Sequence, residues 1–574
     1  MILQALKEYY DRKVLNPDSQ MAPQGWEWKD IPYIVVINGE GNPISLNCTY
    51  EGTGRDRRAK HYLVTQGVKK TSGIASNLLW DNPEYALGVV LKGKPERVSE
   101  QHALFKKRIE DLALSHDPGI QALCVFLAKD DKTTLLEAFG ETWRALLAEG
   151  ANVSFQLAGE SAPIVESPAV RKAVDAVAAP AQEGSGICLA TGNNETLERL
   201  HTAIKGVWGA QSSGANIISF NLDAFCSFGK DQGANAPVGR TAADAYTKAL
   251  NHMLGKDSKQ RVQVGDASTI FWSERRTSLE QTMVDFFSEP PKDDPDRNVR
   301  AVESLFKSVH TGTPPTDEDK SKFYVLGLAP NASRISIRFW TVNTVKGMSE
   351  TLCRYFDDIR ITHGPRDRDA LSLFRLLVSI AVLGKADNIP PNLAGDTMRA
   401  ILEGLAFPQT LLHAAVRRIR AEHDITHPRA ALIKACLNRS LRFNIPTNER
   451  ELTVSLDESN TNIGYLLGRL FATLEKIQQE ASPGINATIR DRFYGAASGT
   501  PVTVFPNLMR LKNHHLAKLE NAGRRVNFER LLGQIIADIS DFPPHLSLAD
   551  QGRFAIGYYH QTQAFYTKKS DSNE

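Results

Sequence analysis

The feature that most constrains this chain is a change of hydrophobic period near Gly347. Ahead of it, apolar residues fall in short runs or alternate, the spacing of strands. Beyond it they recur every three or four residues, the spacing of helices. Runs at Ile31–Asn38, Ala86–Leu91, Ala122–Ala128, Asn216–Phe220, Phe323–Ala329 and Arg334–Trp340 read as strands, with helices at Glu137–Glu149 and Ala242–Leu254. These elements lack the regular alternation of a doubly wound sheet, so an α+β fold is expected. At 574 residues the chain exceeds what one core supports. The expected division is a mixed α/β N-terminal domain over residues 1–345, a helical linking region over 346–450 and a C-terminal four- to five-helix bundle over 451–574.

Within the bundle, Ile463, Leu466, Leu467, Leu470, Leu474 and Ile477 mark one helix face, and Phe528, Leu531, Leu532, Ile535, Ile536 and Ile539 another. Pro543 and Pro544 end the second helix, and Ser547 with Asp550 has capping-box spacing for the next. Residues 287–322 are proline-rich and acidic around one short helix, a composition that predicts a solvated surface insertion. The apolar run Leu371–Leu383, interrupted by Arg375, is too short for a bilayer and reads as a buried helix. Met1–Tyr10 has neither the basic nor the apolar stretch of a leader and reads as an amphipathic helix. Six cysteines (Cys48, Cys124, Cys188, Cys226, Cys353, Cys436) are scattered with no Cys-x-x-Cys pair, the usage of reduced thiols in a cytoplasmic protein.

Net charge is only +2, so distribution carries the information. Between Gly52 and Trp80, six basic residues (Arg55, Arg57, Arg58, Lys60, Lys69, Lys70) face one acid, Asp56. Between Leu411 and Ile445 there are seven (Arg417, Arg418, Arg420, Arg429, Lys434, Arg439, Arg442) against Glu422 and Asp424. Between Met509 and Arg530 there are six (Arg510, Lys512, Lys518, Arg524, Arg525, Arg530) against Glu520 and Glu529. One such cluster is equally well a solvated face. Three of them, with the acids gathered elsewhere, suit a protein that follows phosphates, because each neutralised phosphate releases counterions. The two later clusters lie on predicted helices, where they would form tracks that give affinity without sequence information.

The first cluster can do more. Lys69–Asn82 mixes cations with Thr71, Ser72, Asn77 and Asn82, the short polar side chains that reach base edges, and Gly73 permits close backbone approach. The plainer reading makes Asn82-Pro83 a turn and Asn77 a helix cap.

Catalytic motifs are missing: the chain has no Walker A sequence, no Gly-x-Gly-x-x-Gly and no His-Glu-x-x-His. His423-Asp424 lacks partners at helical spacing, adjacent His514 and His515 diverge on a helix, and the aspartates from Asp357 to Asp369 are interleaved with Arg360, Arg366 and Arg368, which suits ion pairing. No catalytic residue, cofactor or metal is expected.

Several segments resemble one family. They are the opening MetIleLeuGlnAlaLeuLysGluTyrTyr, followed by Pro23-x-Gly25 and a strand at Tyr33–Asn38; Thr71–Gly88; Leu200–Val238, with LysGlyValTrpGlyAlaGlnSerSerGly and PheGlyLysAspGlnGlyAlaAsnAlaPro; Gly464–Ala481; and GlyTyrTyrHisGln at Gly557–Gln561. In this order they resemble the large subunit of the type I-C CRISPR surveillance complex, Cascade. The resemblance implies a non-catalytic protein that reads the protospacer-adjacent motif (PAM) in duplex DNA. It also implies help in opening the strands and stabilising the R-loop, and recruitment of a helicase-nuclease in antiviral defence. Implied partners are the CRISPR RNA, target double-stranded DNA, the Cascade backbone and RNA-end-capping subunits, the helicase-nuclease, and small subunits made from the chain's own C-terminal region, with an internal start near Val454.

Within the matching segments, Lys205, Gln211, Ser212, Gly214, Lys230, Gln232 and Asn235 are expected at guide RNA or the duplex fork, with Gly229–Pro237 as a wedge and Ser219–Asn221 ending a structural strand. PAM readout and phosphate anchoring fall to Arg55, Arg57, Arg58, Lys60 and the loop Lys69–Asn82. Strand tracking falls to Arg417, Arg418, Arg420, Arg439, Arg510, Lys512, Lys518, Arg524 and Arg525. Two other classes stay open: a scaffold whose basic patches meet acidic proteins, and a nuclease.

Overall fold

The computed structural model describes residues 2–16, 19–68, 70, 73–177, 185–265, 267–310, 320–443 and 449–567. They form two compact units, one of Leu3–His201 with Phe220–Ala249, the other of Thr202–Ser219 with Leu250 onward.

The first unit is built on a four-stranded sheet in the order Pro43–Cys48, Tyr33–Ile37, Val153–Leu157, Trp80–Asp81. Tyr33–Ile37 is buried at all five positions, as its run of β-branched residues requires, and pairs parallel to Val153–Leu157. Phe105 and Phe126, from helices Pro95–Glu110 and Pro118–Ala128, pack on Phe155 with ring centroids 6.2 and 6.0 Å away. Strands Trp26–Asp30 and His61–Thr65 pair beside it and lead into the first basic segment.

Three predicted strands are corrected. Ala122–Ala128 is helical: Pro118 sits at the first helical position, and the Asp117 side chain accepts from Ile120 N. A continuously buried apolar run carries no period that separates helix from strand. Ala86 ends the short helix Pro83–Ala86, and beyond Val89 the Glu84 carboxylate accepts from the N–H groups of Leu91, Lys92 and Gly93, donors that a ladder would need. Asn216–Phe220 makes one isolated bridge, Asn216 to Arg334.

The second unit opens on an antiparallel meander, Arg261–Val264, Ala267–Ser273, Lys322–Asn331, Arg334–Thr344. Phe271, Phe323, Val325 and Phe339 share one core with the helices that follow, so neither residue 345 nor 450 separates two cores. The insertion is also corrected in part. Arg297–His310 is a 14-residue helix whose Leu305 enters that core, with Ala301, Val302 and Phe306 packed against it; residues 311–319 lie outside the described residues. The helix predicted over Leu371–Leu383 spans Leu373–Ile380, and Leu383 is 76% exposed at φ +58°.

The C-terminal helices are Ile463–Ala481, Ile489–Gly499, Phe505–Ala517, Ala522–Ile536 and Leu548–Tyr566. The first and last approach to backbone contact through Gly464, Gly468 and Gly557, where a Cβ would overlap Asp550 O, Phe554 O and Tyr465 O. Ser547 caps the last helix, its Oγ accepting from Asp550 N at 3.1 Å. Gly552 lies against Ile433 and Leu437 of helix His427–Phe443, joining this bundle to the preceding helices. No helix among the described residues is long and apolar enough to cross a membrane.

Candidate nucleic-acid interface

The predicted readout loop leaves strand His61–Thr65 and returns at Trp80. Its root is braced. Thr65 Oγ1 donates to Leu78 O (2.7 Å), and Trp80 Nε1 donates to Thr65 O (2.8 Å). Gln66 Nε2 donates to Asp244 Oδ1 (3.2 Å), and Gly67 N donates to Glu27 Oε1 (3.1 Å). Asn77 is buried, and its Oδ1 accepts from Val68 N at 2.9 Å. Asn82 caps helix Pro83–Ala86 through Tyr85 N (3.2 Å). Lys70 is ion-paired with buried Asp81 and lies 3.7 Å from the centre of the Tyr85 ring. Asn77, Asn82 and Lys70 therefore hold the loop in this state, while Gly73 is exposed at its tip. Lys69, Thr71 and Ser72 lie outside the described residues.

Upstream, Arg57 stacks 3.7 Å over Tyr50 and donates to Glu149 Oε1 at 2.9 Å, a bond that raises its already high pKa. Arg55 lies in the turn Gly54–Asp56. Arg58 and Lys60 are exposed.

The segment 205–237 divides between the two units. In the second unit Lys205, Gln211 and Ser212 are exposed, and Gly214 N donates to Gln211 O (2.9 Å) to close a turn. Gly214 has φ +96°, and a Cβ there would sit 2.9 Å from Ala203 Cβ and from Ile204 O. In the first unit Lys230 is exposed, while Gln232 and Asn235 shape a rigid loop. Asn235 Oδ1 accepts from Ser227 N (3.0 Å), and its Nδ2 donates to Lys230 O (2.9 Å) and Gln232 O (3.1 Å). Gln232 Oε1 accepts from Arg199 Nε at 2.5 Å. This bracing presents Phe228, 96% exposed at φ +55°. The sequence reading named this loop without singling out Phe228. The Phe228-Gly229 pair is its only local signal, since burial is decided by the tertiary packing.

The basic helices split likewise. Arg417 and Arg420 are exposed on one side of Gln409–Glu422, and Arg418 pairs with Glu422 at 3.2 Å. Arg439 points inward, 2% exposed, donating to Asp358 Oδ2 (2.6 Å) and to the carbonyls of Ala400 and Leu405. Arg429 and Lys434 are buried too. On Phe505–Ala517 and its neighbours Arg510, Lys518 and Arg525 are exposed and Lys512 is half-buried. Arg524 grips Glu480 at 2.7 and 2.8 Å, holding that carboxyl below its usual pKa.

Residues considered for catalysis are engaged structurally. His423 caps its helix at φ +54°, His363 pairs with Asp369 at 2.8 Å, and Asp358 pairs with Arg439 and Arg442 from helix His427–Phe443, not with the neighbouring arginines in sequence. Among the described residues no three His, Cys, Asp or Glu side chains gather as metal ligands.

No curated protein matches the chain. The family model described as CRISPR-associated protein (Cas_Csd1) matches residues 6–566. The chain belongs to the Csd1 family of CRISPR-associated proteins, the large-subunit family that its segments resemble.

Proposed function

We propose that this chain is the non-catalytic large subunit of a type I-C Cascade, reading a PAM in duplex DNA and helping to open it. The observation that carries the reading is the braced loop Gln66–Asn82, fixed at its root and exposed at Gly73, fed by a strand preceded by exposed Arg58 and Lys60. A fixed root lowers the entropy cost of ordering a loop on DNA. Cations flanking the loop anchor phosphates, while the polar side chains in its sequence are the groups suited to base edges.

Phe228 serves as the wedge at the fork: an apolar side chain inserted between base steps unstacks them. Exposed Arg417, Arg420, Arg510, Lys518 and Arg525 follow the separated strands by charge alone. Arg439 acts inside the fold, and Arg524 is held by Glu480. Guide RNA, backbone and end-capping subunits, small subunits and the helicase-nuclease complete the assembly.

The test is permanganate reactivity of thymines beside the PAM in the assembled complex. Phe228→Ala should keep duplex binding and lose most of the opening signal. Unchanged opening would remove the wedge. Failure of the assembled complex to bind PAM-bearing duplex would favour a scaffold that meets acidic proteins.

A further inference from the structure

Two cavities of the second unit share Glu289 on their walls. The larger, about 570 Å³, is faced by Trp208, Phe374, Leu377 and Pro330. The smaller, about 260 Å³, is faced by Arg366, Arg368 and Arg375. Trp208 is 62% exposed and Phe374 39%, and the two rings line the same cavity.

Trp208 is bare but not loose. Its backbone N–H donates to Ser268 Oγ (3.0 Å), Ser268 Oγ donates to Gln263 Oε1 (3.0 Å), and Gln263 Nε2 donates to Gly265 O (2.8 Å), which fixes the main chain that carries the ring. The turn that follows is closed by Ala210 N donating to Val207 O at 3.1 Å. The arginines next door are also placed. Arg375 Nη2 donates to Glu289 Oε2 at 2.7 Å, which cancels that carboxylate, and Arg368 Nη1 donates to Pro295 O at 3.0 Å. With Glu289 neutralised, Arg366 and Arg368 outweigh Asp367 on the smaller cavity's wall.

We propose that the paired cavities hold one unpaired nucleotide of a single strand, its base against Trp208 and Phe374 and its phosphate toward Arg366 and Arg368. Aromatic rings accept any base face, and adjoining guanidiniums match the phosphate. Asp387, also on the larger wall, accepts from an exocyclic amine and so favours bases that carry one. The proposal rests on the reading that the chain holds nucleic acid, and its ligand is distinct from the duplex. An unpaired nucleotide can come from guide RNA or from displaced DNA; the chemistry is shared.

The experiment uses the full chain with single strands of about ten nucleotides, ribo- and deoxyribo-, each carrying one 2-aminopurine. Stacking on Trp208 should quench its fluorescence. Trp208→Phe should keep binding, while Trp208→Ala should abolish quenching and weaken binding about tenfold. Arg366→Ala with Arg368→Ala should weaken binding but leave quenching at saturation. Preference for the ribo strand assigns the site to guide RNA and the reverse assigns it to displaced DNA. No quenching by the wild-type chain, or binding indifferent to Trp208→Ala, overturns the proposal and leaves the groove to an apolar peptide. Quenching without PAM-duplex binding would count against the duplex reading while supporting this site.

Discussion

Lys70 and Asp81 clasp each other across the root of the loop Gln66–Asn82, Nζ lying 2.6 Å from Oδ1 and 2.7 Å from Oδ2. The same carboxylate accepts from the backbone N–H of Asn77 and of Asn82, at 2.9 and 2.8 Å. One buried side chain therefore ties together four points of the loop. Asp81→Ala should destabilise the first unit by about 2–4 kcal/mol, since it strands two backbone donors and a partly buried cation. Chemical denaturation measures this; a change below about 0.5 kcal/mol, the scale of ordinary surface substitutions, would show that the clasp is incidental.

On the proposed reading, Asn77 bears on PAM preference through the Val68 N–H that it holds. In Asn77→Ala the Val68 N–H loses its acceptor, and hydrogen exchange there should accelerate while preference between matched and altered PAMs narrows. Arg58→Ala, which removes an exposed cation beside the loop, should weaken all sequences together and lower the salt slope by about one unit. Equal losses on matched and altered PAMs for both variants would erase the distinction.

Arg439 and Asp358 are each buried, at 2.6 Å. Asp358→Ala leaves Arg439 charged and unpaired, with an expected cost of about 3–5 kcal/mol. Adding Arg439→Met should recover part of it in thermal unfolding. Additive losses would show that the pair is not coupled.

Gly468 lies in backbone contact with the helix Leu548–Tyr566. Gly468→Ala should cost about 1–3 kcal/mol by overpacking, despite the higher helix propensity of alanine. A stabilised bundle would mean that the two helices separate freely.

Burial lowers His102, His201 and His427 to about 4 and His560 to about 3. These groups are neutral in the fold, whereas the unfolded chain takes up protons near 6.5. Their contribution is present in full above that value and is lost as pH falls from about 6.5 toward 4, at up to about 1.4 kcal/mol per pH unit for each histidine. Melting temperature followed from pH 7.5 to 5 should fall, and His560→Gln should flatten the decline. An unchanged slope in that variant would show His560 already protonated in the fold.

The α+β class, the helical second half and the positions of the last helices were legible because period and caps are local. Ile463, Leu466 and Leu470 announced their helix face, and Ser547 announced the start of another. What escaped is decided at a distance. Arg439 sits in a basic run yet turns inward because Asp358, 81 residues away in sequence, is buried beside it. Ala86–Leu91 does not pair as a strand because Asn82 and Pro83 take the N–H groups of Ala86, Leu87 and Val89 and Glu84 takes that of Leu91. Phe228 stands exposed on a loop that Asn235 and Gln232 brace, bonds that no hydrophobic spacing reveals. Within the segments that the resemblance picked out, the packing sorts braces from exposed side chains.

The central claim is that exposed cations beside the braced loop bind duplex DNA. The most direct measurement is the affinity of the assembled complex for PAM-bearing duplex across a range of salt, with wild-type chain and with Arg58→Glu plus Lys60→Glu. The account predicts a loss of tenfold or more and a salt slope shallower by about two units, with the fold unchanged. Equal affinity and an equal slope would contradict it.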